Sequence, residues 1–440
     1  MLHSYHNTPS YMRQQPVVSH STLPRVAAIV LATLGLSALL LTLVFSLTGK
    51  QSGSPTGAGT VAAATKGAVA DWTVLVYMAS DNNLEAAALD NLREIAHVGS
   101  SAHLNLVAQV DRISSRNIWD DTTAGNWTGT KRFLVQPGME PDAAMAVQDL
   151  GELNTGDPTT LADFITWGIT RYPAKHYALV LWSHGAAWQG LANDETSGGD
   201  NLTLPELGKA LAAAQQQTGF TKLDLLGFDA CLMAQLDVLQ TIAPYAQVAV
   251  ASAELEPTKG WAWDAWLSAL VANPDHTATS IAEVIVKSYM SLYQRTEDVT
   301  LAAFDLTQVS AISVELDRLA GALLTGQPTD GANITQARTA VEVYASTNSE
   351  QFNAVDLGQL STLLAARGAT GEVTAAAAAM ATAIKNARFA YDAGQSHING
   401  SGLSIYFPPT AAQYLPAYEH DSPLTNWAKF LKAYHLTLIV

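Results

Sequence analysis

Residues 223–252 read LDLLGFDACLMAQLDVLQTIAPYAQVAVAS, and their pattern points to one class of fold. LDLLGF (223–228) and AQVAVAS (246–252) are short apolar runs, as expected of strands covered on both faces of a parallel sheet. CLMAQLDVLQTI (231–242), between them, carries apolar residues at helical spacing. The same alternation continues upstream. HYALVLW (176–182) reads as a buried strand and is followed by a helix over 204–217. WTVLVYM (72–78) and LNLVAQV (104–110) are two further strands. Between these two, Asp81 and Asn82 offer N-cap oxygens to a helix carrying Leu84, Ala88, Leu92 and Ile95. Residues 161–172 are helical, and RFLV (132–135) suits a hairpin. Strands alternating with helices predict an α/β fold, a doubly wound and mostly parallel sheet with helices on both faces. Downstream the pattern is less regular. LAAFDL (301–306) and GLSIYF (402–407) read as strands, with helices over 311–323, 373–390 and 426–434.

In open α/β sheets, ligands bind beyond the carboxyl ends of the strands. Two such ends carry reactive side chains. Residues 178–182 lead into Ser183-His184-Gly185, and residues 223–228 into Asp229-Ala230-Cys231. A parallel sheet brings these ends to one edge, so a thiol and an imidazole 47 positions apart can face one cleft. Cys231 is the only cysteine, which rules out an intramolecular disulfide and a cysteine-based metal cluster. A thiol attacks as the thiolate, which forms more readily beside an imidazolium or at a helix N-terminus. A helix opening at Cys231 would supply the second. His184 would supply the first and protonate the leaving amine. Gly185 leaves a backbone N–H open to a tetrahedral oxyanion. Each residue also has an ordinary reading: a buried thiol, a hydrogen-bonded loop histidine, and Asp229 as a helix cap. Placement of the pair at two strand ends favours chemistry. No H-x-x-x-H pair occurs, so a zinc site has no support.

At these residues the sequence resembles a known family. ALVLWSHGAAW (178–188) and LDLLGFDACLMAQLDV (223–238) are similar to the His and Cys motifs of the clostripain family of cysteine peptidases, in the clan of caspases, legumains and gingipains. WTVLVYMASDNNLE (72–85) resembles the family's first strand and helix, and AVDLGQL (354–360) and GLSIYFP (402–408) its C-terminal signatures. The resemblance covers about residues 71–435 and implies a caspase-like catalytic core over 71–270, with 271–440 completing the peptidase unit. It implies a Cys231–His184 dyad that cuts proteins or peptides after Arg or Lys through a thioester acyl-enzyme. It also places the acid two residues before the nucleophile, Asp229, in the specificity pocket. Glu254 and Glu256 are both candidates for a second pocket acid. No cofactor is required. Calcium dependence is known in the family, but Asn193-Asp194-Glu195 does not by itself define a metal site, and none is assigned. Family members often cleave themselves at a basic residue soon after the His motif. Residues 189–207 hold no Lys or Arg, and Lys209 falls inside a predicted helix, so this chain is expected to work uncut.

Towards the N-terminus, residues 26–48 run 23 positions without a charge, about 35 Å of helix and enough to cross a bilayer core. Arg13 and Arg25 precede the run and favour keeping residues 1–25 in the cytoplasm. The expected arrangement is a single-pass membrane anchor with the catalytic part outside, joined by a flexible linker over 49–70 rich in Gly, Ser, Thr and Ala. A secreted protein released by signal cleavage is the alternative, although a signal's apolar stretch is shorter. The net charge of −16 argues against a nucleic-acid partner, which needs a basic surface. Two rival readings remain at this stage. A catalytically silent, membrane-tethered peptide-binding module would keep the fold and lose turnover. A serine hydrolase would need a G-x-S-x-G elbow, which the sequence lacks.

Overall fold

The apolar run at 72–78 is the middle of strand β1 (Ala70–Ser80) in the computed structural model. The structure describes residues 69–437 apart from 114–117, 295–297, 346–348 and 368–369. Successive β1 side chains enter two different cores, as the period of a strand requires. Trp72, Val74, Val76 and Met78 join a cluster with Leu92, Ile95, Trp266 and Tyr289. On the opposite face Leu75 packs on Gly168, and Tyr77 lies 5.8 Å from Phe164. Burial on both faces is why the run shows no polar alternation.

Among the described residues, nine strands make the main sheet. They are β1, β2 (Leu104–Arg112), β3 (Gly129–Leu134), β4 (Gln148–Gly151), β5 (Ala174–Trp182), β6 (Leu223–Asp229), β7 (Ala246–Ala251), β8 (Thr300–Asp305) and β9 (Arg388–Ala393). Their order is β9-β8-β7-β6-β5-β1-β2-β3-β4. The five central strands are parallel, while β3 and β4 on one edge and β8 and β9 on the other add antiparallel pairings. Helices α1 (Glu85–Val98), α2 (Pro158–Arg171) and α3 (Leu204–Thr218) start the two covering layers. Asp157 caps α2, and Thr203 with Glu206 forms a capping box on α3. The expected mixed α/β sheet with helices on both faces is therefore present, its parallel part confined to the centre. The sheet draws strands from both sides of residue 270.

Several local expectations need correction. Helix α4 spans Leu236–Ile242 and does not open at Cys231. Met233 and Ala234 precede it outside any helix, and Ala234 N–H donates to Ser252 O at 2.7 Å. Neither Asp81 nor Asn82 caps α1: Leu84 is the N-cap residue and no side chain caps the helix, Asn82 Oδ1 accepting only the Leu84 N–H at 3.0 Å. The helix expected over 373–390 stops at Ala387, and Arg388–Ala393 joins the sheet edge. The late GLSIYF strand, Ser404–Tyr406, does not enter the main sheet. It pairs with Ala354–Asp356 and bridges to Gln235. Residues 26–48 lie outside the described residues, as does nearly all of the 49–70 linker. Among the described residues no helix is long and apolar enough to cross a membrane.

Candidate active site

Strands β5 and β6 are neighbours, and Trp182 pairs directly with Asp229. His184 and Cys231 each lie two residues past this pair, so sheet register alone brings them to adjacent positions on the carboxyl edge. Ser183 N–H closes the gap by donating to Asp229 O at 3.3 Å. Gly185 then packs on the backbone of Cys231. A Cβ there would come within 2.1 Å of Cys231 O, so only glycine lets the two loops touch. Just after the thiol, Leu232 adopts a φ of 66°, a left-handed conformation rarely used by leucine, and its N–H donates to Glu254 O at 3.2 Å.

Cys231 sits in a turn five residues before α4, so the thiol is not in the first turn of that helix. The sulfur instead accepts the Glu256 N–H at 3.2 Å, and the thiol approaches Glu256 O at 3.8 Å. Burial pushes the thiol up to about 11, only partly countered by the Glu256 N–H, with the charges of Glu254 and Asp229 adding to the rise. Burial lowers His184 to about 4. At neutral pH the resting pair is thus a thiol and a neutral imidazole, not an ion pair. His184 Nε2 lies 2.7 Å from Asn83 Oδ1, which fixes the proton on Nε2 and leaves Nδ1 as the basic nitrogen. Sequence pattern alone misses Asn83 and marks only its neighbours, as helix caps.

The three acids separate into two environments. Asp229 is 4 % exposed, lies beneath the Trp261–Trp263 loop, and accepts Trp261 N–H at 3.2 Å and Trp263 Nε1–H at 2.9 Å. Gly260, at φ +67°, permits this wrap: a Cβ there would meet Asp229 Oδ1 at 2.7 Å. The Glu256 carboxyl faces that of Asp229, and neither of its buried oxygens has a well-formed hydrogen bond. Burial raises both carboxyl groups above the usual range; the charge of Asp229 adds to the rise of Glu256, while contact with Glu256 partly offsets the rise of Asp229. Glu254 belongs elsewhere. Its carboxylate accepts the Leu255 N–H at 2.8 Å and the Ala345 N–H at 2.9 Å, and lies 3.2 Å from His397 Nε2. His397 also meets Asp298 at 2.7 Å and Glu342 at 2.5 Å.

A second acidic group lies further along the same edge. Asp81 follows β1, Asp111 lies on β2, Glu152 follows β4, and Asp194 ends the short strand Leu191–Asp194. One oxygen from each lies within 4.8 Å of the others. Sequence pattern marks Asp194 as part of an acidic loop but does not connect it with the other three.

Comparison with known proteins bears on the family and the fold. The model of the clostripain family matches residues 76–433. Clostripain from Hathewaya histolytica is 28 % identical over 195 residues, which cover 39 % of this chain and 36 % of that protein. The chain therefore matches about a third of that relative's length. Two solved structures share the fold with TM-scores of 0.57 and 20 % identity. One is a secreted C11 cysteine protease from Bacteroides thetaiotaomicron in complex with an irreversible peptide inhibitor, covering 83 % of this chain and 99 % of its own. The other is an inactive zymogen C11 protease from Parabacteroides distasonis, covering 84 % and 99 %.

Proposed function

This chain belongs to the clostripain family of cysteine peptidases, and from that premise we propose that it is an endopeptidase cutting after Arg or Lys with Cys231 as nucleophile. The observation that carries the reading is the placement of His184 and Cys231 at equal offsets beyond one strand pair, beside two buried carboxyl groups that have no ion pair among the described residues. In the resting site both groups are neutral, so the proton leaves sulfur as the carbonyl is attacked. It passes to Nδ1 of His184, whose Nε2–H stays on Asn83. Loss of that proton creates the thiolate without a standing ion pair. The Gly185 N–H serves the tetrahedral oxyanion. Protonated His184 then hands its proton to the leaving amine, leaving a thioester on Cys231 that water hydrolyses with His184 again as base.

Asp229 and Glu256 hold the substrate's basic side chain before the cut. Two carboxyl groups crowded in a buried pocket keep a proton between them, and a guanidinium or ammonium entering there displaces it, so that both ionise and form charge-assisted hydrogen bonds to the cation. Glu254 is not assigned to the pocket, because its carboxylate is taken up by His397 and two backbone N–H groups. No cofactor takes part in these steps. Substrates are proteins or peptides. Export suits the apolar segment at 26–48, which acts as anchor or cleaved signal, and mass spectrometry of the mature N-terminus distinguishes the two.

The test is hydrolysis of Arg- and Lys-terminated fluorogenic peptides by the purified chain, before and after thiol alkylation. Turnover abolished by alkylation and by Cys231→Ala is the expected result. Turnover that survives alkylation rules out the thiol mechanism, and no turnover on any basic peptide favours the silent binding module.

A further inference from the structure

Glu254 is buried, and it holds two strained points of the backbone at once. Its carbonyl oxygen accepts the N–H of Leu232, the residue after the thiol, which has a φ of 66°. Its carboxylate accepts the N–H of Ala345, which has a φ of 51°. Left-handed conformations at leucine and alanine cost energy and persist only where the surroundings fix them. The main chain of Glu254 is fixed in turn. Its N–H donates to Ser252 Oγ and Thr300 Oγ1, each at 3.1 Å, and Ser252 Oγ donates to its carbonyl oxygen at 2.9 Å. Two residues further on, the Glu256 N–H reaches Cys231 Sγ at 3.2 Å. The segment 254–256 therefore grips the nucleophile twice, once at the following peptide and once at the sulfur.

What holds the Glu254 side chain comes from beyond residue 270. His397, in the turn Gln395–His397, is buried and turns Nε2 towards Glu254 at 3.2 Å and Asp298 at 2.7 Å. Its Nδ1 lies 2.5 Å from Glu342, which follows the helix Val309–Ala340 and comes three residues before Ala345. The Tyr344 ring lies 5.2 Å from the imidazole. A buried ion cluster adds little stability over apolar packing of the same volume, but it fixes the positions of its members. An apolar side chain at 254 would fill the space without accepting the Ala345 N–H or meeting His397.

We propose that His397 and Glu342 are positioning residues for the peptidase: acting through Glu254, they brace the turn after Cys231 and keep the Glu256 N–H on its sulfur. Neither touches the reacting atoms. The part of the chain beyond residue 270 thereby sets the reactivity of a thiol that the earlier part carries. The catalytic consequence rests on the peptidase reading; the effect on the thiol does not.

The test reads the two separately. Iodoacetamide alkylation of Cys231 reports on the thiol alone, and kcat and KM for arginyl peptides report on the reaction, all at one pH and well below the Tm of each variant. His397→Gln should slow alkylation about ten-fold, as expected when the sulfur loses a hydrogen bond that favours its charged form. It should lower kcat about a hundred-fold, as expected of a displaced reacting atom, with a smaller change in KM. A loss of stability alone would lower Tm and leave the alkylation rate of the folded protein where it was. Because His397→Gln leaves three carboxylates facing one another and can fail to fold, Glu342→Ala is measured beside it. That variant frees the ring at Nδ1 and should show the same slowing, while Glu342→Gln, whose amide oxygen still accepts from Nδ1, should restore the parent rate. Alkylation at the parent rate in folded Glu342→Ala overturns the brace. Slowed alkylation with an unaltered kcat overturns its part in the reaction. Slowed alkylation in a chain whose parent cuts no basic peptide supports the brace and removes the peptidase reading instead.

Discussion

Glu256→Gln keeps the shape of a side chain whose two oxygens have no well-formed hydrogen bond, and removes its ability to ionise when a substrate cation enters. The equivalent change at Asp229 is less clean, because its oxygens serve Trp261 N–H and Trp263 Nε1–H and an amide would turn a donor towards them. Removing one partner of a buried charge pair costs about 2–5 kcal/mol. Asp229 still faces the substrate cation in the variant, which places the loss near the lower end, about 2–3 kcal/mol. That corresponds to about a 30- to 160-fold fall in kcat/KM for an arginyl peptide. The assay pairs each arginyl substrate with its citrulline analogue, which has nearly the same shape and no charge. Citrulline hydrolysis should be little changed, so the Arg-to-citrulline ratio should collapse by the full factor. A ratio within about three-fold of the parent's would refute the pocket assignment. The free protein supplies an independent readout. Burial raises the Glu256 pKa in the folded chain, so the folded state holds a proton that the unfolded state has lost. The associated stability is present below about pH 4.5 and is lost as pH rises through the folded value. In a Cys231→Ala background, Glu256→Gln should therefore flatten the fall in Tm between about pH 5 and 8.

The neutral resting pair implies that iodoacetamide alkylation of Cys231 in the free enzyme keeps accelerating towards pH 11, and a plateau already reached near pH 5 would instead establish a thiolate–imidazolium pair. Asn83→Ala should lower kcat about ten- to a hundred-fold with KM nearly unchanged, since it frees the imidazole to rotate without touching substrate; a purely KM effect would contradict that role. His397→Gln leaves the carboxylates of Glu254, Glu342 and Asp298 without their shared cation, and should cost about 3–5 kcal/mol in urea unfolding. Burial alone would lower His397, but Glu254 and Glu342 outweigh it and hold the ring at about 10. Its stabilisation is therefore full below about pH 6.5 and is lost as pH rises to 10, a slope the variant should lack. Active enzyme should run as one chain on a denaturing gel, since residues 189–207 offer no basic residue and Lys209 lies within α3; a Cys231-dependent split between 189 and 222 would contradict this.

The central strands could be read from the sequence because each is buried on two faces, and continuous apolar runs as short as 72–78 and 176–182 suit little besides such a strand. The edges carry no such signal. In β4 (Gln148–Gly151) no residue is buried, and in β9 (Arg388–Ala393) only Ala393 is, so neither stands out from a loop or a helix end. The residues after Cys231 misled for another reason. CLMAQLDVLQTI has apolar positions that suit a helix, but Ala234 and Gln235 are claimed by Ser404, 170 residues away, through a hydrogen bond of 2.8 Å and a parallel bridge. Such a pairing overrides local propensity and delays the helix to Leu236. Glu254 and Glu256 illustrate the same limit. They are two apart along an extended segment, so local pattern treats them alike. What separates them is His397, which draws Glu254 into a buried ion cluster and leaves Glu256 beside Asp229.

Loss of the expected helix N-terminus at Cys231 changes where the reactivity of the thiol must originate. A sulfur at the start of a helix would be ionised before substrate arrives, whereas here burial holds it as the thiol and the Glu256 N–H donates to it. That donor and the Glu256 carboxyl belong to one residue. A basic side chain drawn between Asp229 and Glu256 therefore pulls on the same loop that solvates the developing thiolate. Pocket filling and thiol activation are then coupled through Glu256, and peptides lacking a basic residue should lose kcat as well as affinity. Equal kcat for arginyl and alanyl peptides at saturation, with only KM differing, would show that the two functions of this loop are independent.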